Sequence, residues 1–304
     1  MSDLILHHYP MSPYSEKVRA MLGYTGLSWQ SVVTKEMPPR PMVAALAGGY
    51  RRIPVAQSGA DVFCDSRIIA AEIAERAHKP ELGAEAMDEA QRAWVAHAEG
   101  EVFFACILAA KPGELFRKAR ATASIGDLLR VVKDRLVMGL SAASSIPGPL
   151  RSQQIVRDHV GRVAGALERD FLFGAAPTFA DFATYHSLWF ACDLGGKRFP
   201  EQPRAMAWLD RIKAFGHGVR REISADAALE IARSATPRPV PQEHSQHPSL
   251  KKPVRVAPAD YMQVPTTGEL VGSSASRWIV RREDPRAGVV HVHFPKEGYT
   301  LQEA

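Results

Sequence analysis

The hydrophobic pattern at the start of the chain changes within a few residues from that of a strand to that of a helix. Residues 4–6, Leu-Ile-Leu, form a short apolar run typical of a buried strand. After Ser12 the apolar positions recur at helical spacing, for example at Val18 and Met21. Ser12 has the composition of an N-cap, and Pro13 suits the first helical position, where a missing N–H costs nothing. The pattern therefore predicts a strand that leads into a helix through a tight polar turn.

The rest of the first 80 residues alternates short strands and helices. Three strands are predicted here. The first covers residues 29–33, the second begins directly after the Ile53–Pro54 bond, and the third covers residues 62–64. The last two are close enough in sequence to form a hairpin. The pair Asp65–Ser66 then begins an amphipathic helix. We expect residues 1–80 to form one compact α/β domain.

The chain between residues 84 and 222 carries long helical patterns and no convincing strand, which predicts an all-helical domain. Thr178 has the composition of an N-cap and Asp181 lies at N3, the spacing of a capping box. We expect this box to fix the start of a central helix and assign it no chemistry. The predicted helices cover residues 84–110, 115–121, 125–140, 153–171, 179–192 and 205–215.

Residues 223–304 are predicted to form a linker followed by a small β-rich extension. Residues 236–253 are rich in proline and read as the extended linker. The extension has about 50 residues, too few for an independent core, so we expect it to pack on the body or on a partner subunit. We also expect deletion after about residue 235 to leave a folded two-domain body. The predicted strands cover residues 254–257, 268–271, 277–282 and 288–294.

Composition and charge narrow the classes of function. The chain has 304 residues, of which 46% are hydrophobic and 23% charged, as in ordinary globular proteins of two or three domains. The formal charge of +5 is spread along the chain, so no nucleic-acid partner is indicated. No apolar run approaches the length of a membrane span, and the N-terminus lacks the pattern of a signal peptide. We therefore expect a cytoplasmic protein without a membrane partner.

The cysteines and histidines show no pattern of a metal or redox centre. Cys64, Cys106 and Cys192 are odd in number and far apart, so neither a disulfide framework nor a CxxC motif is present. A reducing compartment fits this usage. His291 and His293 share one face of a predicted strand, but no third ligand is evident, so we interpret them as surface or interface residues. We expect no metal.

Four motifs, taken in order, resemble those of the cytosolic glutathione transferases. They are Ser12-Pro13-Tyr14-Ser15, Ile53-Pro54-Val55, Asp65-Ser66 and Thr178-Phe-Ala-Asp181. The first is similar to the serine-type motif of tau-like and omega-like transferases, and the resemblance covers residues 1–222. It implies a thioredoxin-like N-terminal domain that binds glutathione as co-substrate, an all-α domain after it, and a homodimer.

Ser12 is the residue on which the predicted chemistry depends. A hydroxyl at a helix start, where free N–H groups and the positive end of the dipole point, favours an anion such as a thiolate. The alternative is that Ser12 only caps the helix. The resemblance implies that Ser12 donates a hydrogen bond to the glutathione sulfur and stabilises the thiolate. Tyr9, near the end of the first strand, and Ser15, one helical turn away, are lower-ranked donors.

The resemblance also implies the remaining glutathione contacts. The bond Ile53–Pro54 is cis in the family, and Val55 would pair with the backbone of the glutathione cysteine as an added strand would. An edge-strand proline without a ligand is the alternative. Ser66 suits the α-carboxylate of the γ-glutamyl group and Asp65 its amino group, and both also suit helix capping. Arg52 lies where some members hold the glycine carboxylate, and a solvated surface charge is the alternative.

The implied activity is conjugation of the glutathione thiolate to a small electrophile held by the helical domain. A non-catalytic binding or scaffold protein is the alternative, which the Asp at position 65 in place of the family's Glu and the extension both permit. A glutathione-dependent isomerase or dehalogenase would use the same site, so that class also stays open.

Overall fold

The computed structural model describes residues 3–120 and 148–304, and the chain divides into two compact units. The predicted helix over residues 125–140 lies outside the described residues. The C-terminal part of the chain belongs to the same unit as the N-terminal strands. The first unit comprises Met1–Ser12, Leu27–Ile69 and Val219–Ala304, and the second comprises Pro13–Gly26 and Ala70–Gly218.

A mixed sheet forms the first unit and, over the described residues, has ten strands. Their order across the sheet is β10-β6-β7-β8-β9-β4-β3-β1-β2-β5. The strands are β1 (Leu4–His8), β2 (Ser28–Val33), β3 (Val55–Ser58), β4 (Asp61–Cys64), β5 (Val219–Glu222), β6 (Pro253–Pro258), β7 (Thr266–Ser273), β8 (Arg277–Asp284), β9 (Gly288–Pro295) and β10 (Tyr299–Glu303).

The α-helices of the described residues are spread over both units. They are α1 (Pro13–Thr25), α2 (Pro41–Ala47), α3 (Ser66–Ala77), α4 (Glu89–His97), α5 (Phe103–Ala109), α6 (Pro112–Arg120), α7 (Pro149–Ala166), α8 (Phe179–Trp189), α9 (Pro203–Lys213) and α10 (Ala225–Ser234).

The N-terminal strands have the arrangement of a thioredoxin-like domain. β1 pairs in parallel with β2 and antiparallel with β3, and β3 and β4 form a hairpin whose last pair is Ser58 and Asp61. The predicted strands and helices of residues 1–80 are all present within a few residues of their expected ends. Short apolar runs such as residues 4–6 decide these strands, since they are buried on both faces of the sheet.

The C-terminal strands continue this same sheet. β9 lies parallel to β4, with Val62 opposite Val292 and Phe63 opposite His293. Apolar side chains from both ends of the chain therefore form one core, which the extension shares with the α/β domain. Members of this core on the C-terminal side are Val254, Val256, Leu270, Val280, Val290, Val292, Phe294 and Tyr299, and members on the N-terminal side include Val43, Leu46, Tyr50, Val55, Val62 and Cys64.

Three elements of the C-terminal part were not predicted. β5 and α10 occupy residues that the pattern assigned to the end of the helical domain and the start of the linker, and β10 follows the last predicted strand. β5 is exposed, and three of its four residues are charged, so its sequence lacks the apolar pattern that would predict a strand. It forms because β2 offers a free edge, with which it pairs in parallel from Ser28 opposite Val219 onward. Charged residues on an edge strand also discourage pairing with another chain.

The extension also caps a helix of the N-terminal part. The last carbonyls of α2 have no partner within the helix, as at every helix end. Thr266 Oγ1 donates to the carbonyl of Ala47 at 2.6 Å, and Arg282 Nη1 donates to the carbonyls of Ala45 and Leu46, the latter at 3.2 Å. α2 therefore depends on the extension for its C-terminal hydrogen bonds.

The second unit is helical, but its first long helix is interrupted. The predicted helix over residues 84–110 consists of α4 and α5 separated by a π-helical segment, Ala98–Val102. Gly100 within this segment has φ −90° and ψ −107°, which no helix allows. The continuous prediction was wrong here because the apolar period persists across the break. The capping box at Thr178 is present, and its Asp181 accepts from the Thr178 N–H at 3.0 Å.

Candidate functional site

Three chain segments that carry predicted site residues meet at one edge of the sheet in the first unit. His7 of β1 lies opposite Val55 of β3, and Val55 lies opposite Cys64 of β4. Because β1 and β4 both run antiparallel to β3, the ends of β1 and β4 lie beside the start of β3. The segments that leave this edge contain Tyr9 to Ser12, Arg52 to Pro54, and Asp65 to Ser66.

Ser12 lies in the turn between β1 and α1. It is 1% exposed, its backbone N–H donates to the Tyr9 carbonyl at 3.2 Å, and α1 begins at the next residue. Tyr9 packs against the core of the first unit. Ser15 is buried in the second unit. The predicted donor Ser12 therefore lies at the sheet edge in the same unit as the other predicted glutathione contacts.

The Ile53–Pro54 peptide bond is cis. Val55, directly after it, is paired on both sides, with His7 in β1 and Cys64 in β4. Its backbone therefore belongs to the ladder of the sheet. Ile53 lies just before β3. Ile53 is therefore outside the strand pairs that include Val55.

Asp65 adopts a left-handed backbone conformation at the start of α3, with φ 82°. One carboxylate oxygen accepts from the Arg67 N–H at 2.9 Å, and the Asp65 carbonyl accepts from the Ile69 N–H at 3.1 Å. Ser66, the first residue of α3, is buried. Non-glycine residues with positive φ cluster at binding sites, where the surroundings hold them in place. The second carboxylate oxygen accepts from the Tyr299 hydroxyl at 3.0 Å.

Arg52 is held by the loop between β6 and β7, residues 259–265. Its Nη2 forms an ion pair with the Asp260 carboxylate and donates to the Tyr261 carbonyl. The guanidinium carbon lies 4.1 Å from the centre of the Tyr261 ring, within range of a cation–π contact. Arg52 is therefore not a solvated surface charge, because the extension supplies its Nη2 with a carboxylate and a carbonyl.

Two tyrosines and a cysteine lie buried behind this edge. The hydroxyls of Tyr50 and Tyr299 are 3.1 Å apart, and since Tyr299 donates to Asp65, Tyr50 donates to Tyr299. Burial, reinforced by the charge of Asp65, raises the pKa of both phenols well above the ordinary value, so both stay protonated and able to donate. Burial likewise raises the pKa of the Cys64 thiol, which disfavours its reaction as a thiolate.

Sequence reasoning missed four of the residues at this edge: Tyr50, Asp260, Tyr261 and Tyr299. The last three come from the extension, more than 190 positions after Asp65. A local motif has no means to signal such contacts. Tyr50 lies in the segment before β3 and Tyr299 begins β10, so only the sheet order brings their hydroxyls together.

The two histidines of β9 differ in their surroundings. His293 is buried, and its Nε2 lies 2.9 Å from Oδ1 of Asp61, whose other oxygen accepts from the Arg238 N–H at 2.9 Å. His293 is thus an interface residue between the extension and β4, while His291 is only half-buried. Over residues 3–120 and 148–304, no group of three or more His, Cys, Asp or Glu side chains is arranged to hold a metal ion.

One pair of helices within residues 3–120 has the length and composition of a broken membrane span. No single helix of the described residues is long and apolar enough to cross a membrane, although Glu89–Ala109 and Pro112–Arg120, bent by 85°, reach the required length and composition together.

Comparison with known proteins identifies relatives of this chain. Residues 6–81 match the family described as glutathione S-transferase, N-terminal domain. A GST-like protein from Pseudomonas syringae is 34% identical over 100% of both chains, with a TM-score of 0.76. A glutathione S-transferase from Sinorhizobium meliloti 1021 is 25% identical, over 70% of this chain and 89% of that one, with a TM-score of 0.46. A theta class enzyme from Xanthomonas axonopodis pv. citri, solved with glutathione bound, is 17% identical over 72% and 98%, with a TM-score of 0.49. No curated protein matches the chain.

Proposed function

This chain belongs to the GST-like proteins of the glutathione S-transferase superfamily, and we propose that it binds glutathione at the sheet edge described above. The observation that carries the proposal is the meeting of Ser12, the cis bond Ile53–Pro54 and the α3 start at Asp65–Ser66 at one edge of one sheet. Each segment has a different part of a γ-glutamyl tripeptide to hold.

The proposed contacts follow from the chemistry of these groups. The γ-glutamyl α-carboxylate is bound by Ser66 and the N–H groups of the first turn of α3, and its ammonium by Asp65. The backbone of Ile53 pairs with the cysteinyl residue as an extra strand does. Arg52 binds the glycine carboxylate.

Ser12 then acts on the sulfur. One charge-assisted hydrogen bond contributes ~1.5–3 kcal/mol, enough to lower the pKa of the bound thiol by about one to two. The thiolate is thereby populated at neutral pH and adds to a small electrophile. An isomerase or a dehalogenase would use the same thiolate, and a screen of substrates separates these classes. We also propose that the protein is a homodimer and is located in the cytoplasm.

One observation favours the second candidate, a non-catalytic binding or scaffold protein. Arg52 and Asp65 both already have partners within the extension, Asp260 and Tyr299. A scaffold built on this fold would keep these internal contacts and bind no tripeptide.

Calorimetric titration of glutathione, with ultraviolet absorbance of the bound thiolate followed against pH, separates the two. For the transferase we expect saturable binding and a depressed thiol pKa that returns to its ordinary value in Ser12→Ala. Tyr9→Phe and Ser15→Ala are the matched controls and are expected to leave it depressed. Binding with an unchanged thiol pKa would reduce Ser12 to a helix cap, and absence of binding would favour the scaffold.

A further inference from the structure

The loop of residues 259–265 presents a carboxylate to Arg52, the cation of the proposed glutathione site. Asp260 is paired with Arg52, and Tyr261 adds its carbonyl and its ring to the same guanidinium. A glycine carboxylate is the same chemical group as the Asp260 side chain. Both together would bring two negative charges against one guanidinium, so binding of one opposes binding of the other.

The loop is anchored at its first residue, where the Ala259 N–H donates to the Gly298 carbonyl at 2.9 Å, so Asp260 can leave Arg52 while β6 and β7 stay paired. Asp260 is 58% exposed, and Gln263 donates back to the loop's own carbonyls at Ala259 and Asp260. Tyr299, in contrast, is held in the ladder of β10, where it lies opposite Pro258. The contact to Arg52 is therefore the releasable one, while the contact to Asp65 belongs to the sheet.

One end of the loop lies close against the N-terminal part of the chain. A Cβ placed on Gly49 would collide with the carbonyl oxygen of Pro265 and would lie 2.9 Å from Cγ1 of Val264. Space for the loop thus depends on a glycine at position 49. A substitution there displaces the loop and keeps every charged group.

We infer that loop 259–265 is an internal competitor of the glutathione site: Asp260 occupies Arg52 in the resting protein, and a ligand carboxylate must displace it. This inference rests on the function proposed above. It explains why Arg52, in a site with the family's motifs, is paired with a carboxylate of the same chain. It also means that the extension regulates the affinity for the ligand. The competition is specific to ligands that carry a carboxylate at the glycine end.

The test compares two ligands and three proteins by calorimetry. The ligands are glutathione and its derivative with the glycine carboxylate converted to an amide. The proteins are wild type, Asp260→Asn, and the control Glu283→Gln, which removes a 71% exposed carboxylate from the same extension. We expect Asp260→Asn to bind glutathione about tenfold more tightly than wild type, with no change for the amide and none for the control with either ligand.

Gly49→Ala supplies an independent variant, because it displaces the loop with Asp260 intact. The same selective gain for glutathione is expected. Equal affinity of wild type and Asp260→Asn for glutathione, or an equal gain for both ligands, would overturn the inference and leave the proposed function standing. If no variant binds either ligand, the proposed function fails and the inference with it. Binding by Asp260→Asn where wild type shows none would support both.

Discussion

The Tyr299 hydroxyl donates a hydrogen bond of 3.0 Å to the Asp65 carboxylate, and so joins the last strand to the residue that precedes α3. The same hydroxyl oxygen accepts from Tyr50. Both partners are attached to the N-terminal strands, so this pair of bonds ties the extension to the sheet edge where the proposed site lies.

Tyr299→Phe is expected to destabilise the protein by about 1–3 kcal/mol, because it leaves the buried Tyr50 hydroxyl and the half-buried Asp65 carboxylate without these hydrogen bonds while the ring stays packed. Urea unfolding followed by circular dichroism measures the change. Thr300→Val is the matched control, since it removes an exposed hydroxyl from the next residue of the same strand. A loss no larger for Tyr299→Phe than for Thr300→Val would show that the buried pair contributes nothing.

Deletion after residue 235 is expected to unfold the first unit, contrary to the expectation drawn from the sequence. The deletion removes the side chains of β6 to β10 from a core that they share with Val55 and Val62, and it exposes the edge of β4. Loss of the cooperative thermal transition, with rapid proteolysis, is the predicted result. Removal of Glu303 and Ala304 alone, both exposed, is the control. A soluble truncation with a sharp thermal transition would support the expectation from the sequence that the two-domain body folds without the extension.

Stability is expected to fall as the solution is acidified below about pH 6.5. Burial lowers the pKa of His159 and His186 to about 3 and that of His7 to about 4. The unfolded chain therefore binds protons near pH 6.5 that the folded chain does not bind. The contribution of these histidines to the free energy of unfolding is fully present above that pH and decreases below it. Each histidine contributes about 2 kcal/mol of this loss between about pH 6.5 and about pH 5.

His159→Phe measures the contribution of one of these histidines to the pH dependence of stability. His159 is 1% exposed, and its ring lies 5.9 Å from that of Trp94, so phenylalanine keeps the ring contact and removes the titration. The slope of unfolding free energy against pH between about 6.5 and about 5 should decrease by one proton. An unchanged slope would mean that His159 accepts a proton in the folded protein.

Asp181→Ala is expected to cost about 3 kcal/mol or more, because the buried carboxylate accepts from several groups that the substitution leaves unpaired. Its oxygens accept from the N–H of Leu172 at 2.9 Å, from the N–H of Thr178 at 3.0 Å and from Trp208 Nε1 at 3.0 Å. Asp88→Ala removes the N-cap of an exposed capping box, for which about 1 kcal/mol is expected. If chemical denaturation gave Asp181→Ala and Asp88→Ala similar losses in free energy of unfolding, burial would not explain the importance of Asp181.

Local sequence determined the elements whose pattern is complete within a few residues. The apolar run at residues 4–6, Pro13 at the first position of α1, and the capping box at Thr178 each specify their structure by local conformation, short-range hydrogen bonding and burial. The same holds for strands β6 to β9 of the extension; β9, for example, runs apolar or alternates over several residues. Order and spacing of the motifs were sufficient to indicate the family.

Tertiary structure alone decided which of these elements are neighbours. The charged strand β5 forms because β2 has a free edge, and β9 pairs with β4 although His293 lies 232 positions after its partner Asp61. The extension reaches Arg52 and Asp65 for the same reason. Pairing of distant strands depends on the burial of a shared core, whose energy is a sum over many residues and leaves no signature at any one of them. Sequence thus predicted the groups at the proposed site, and only the folded sheet showed that the chain itself occupies two of them.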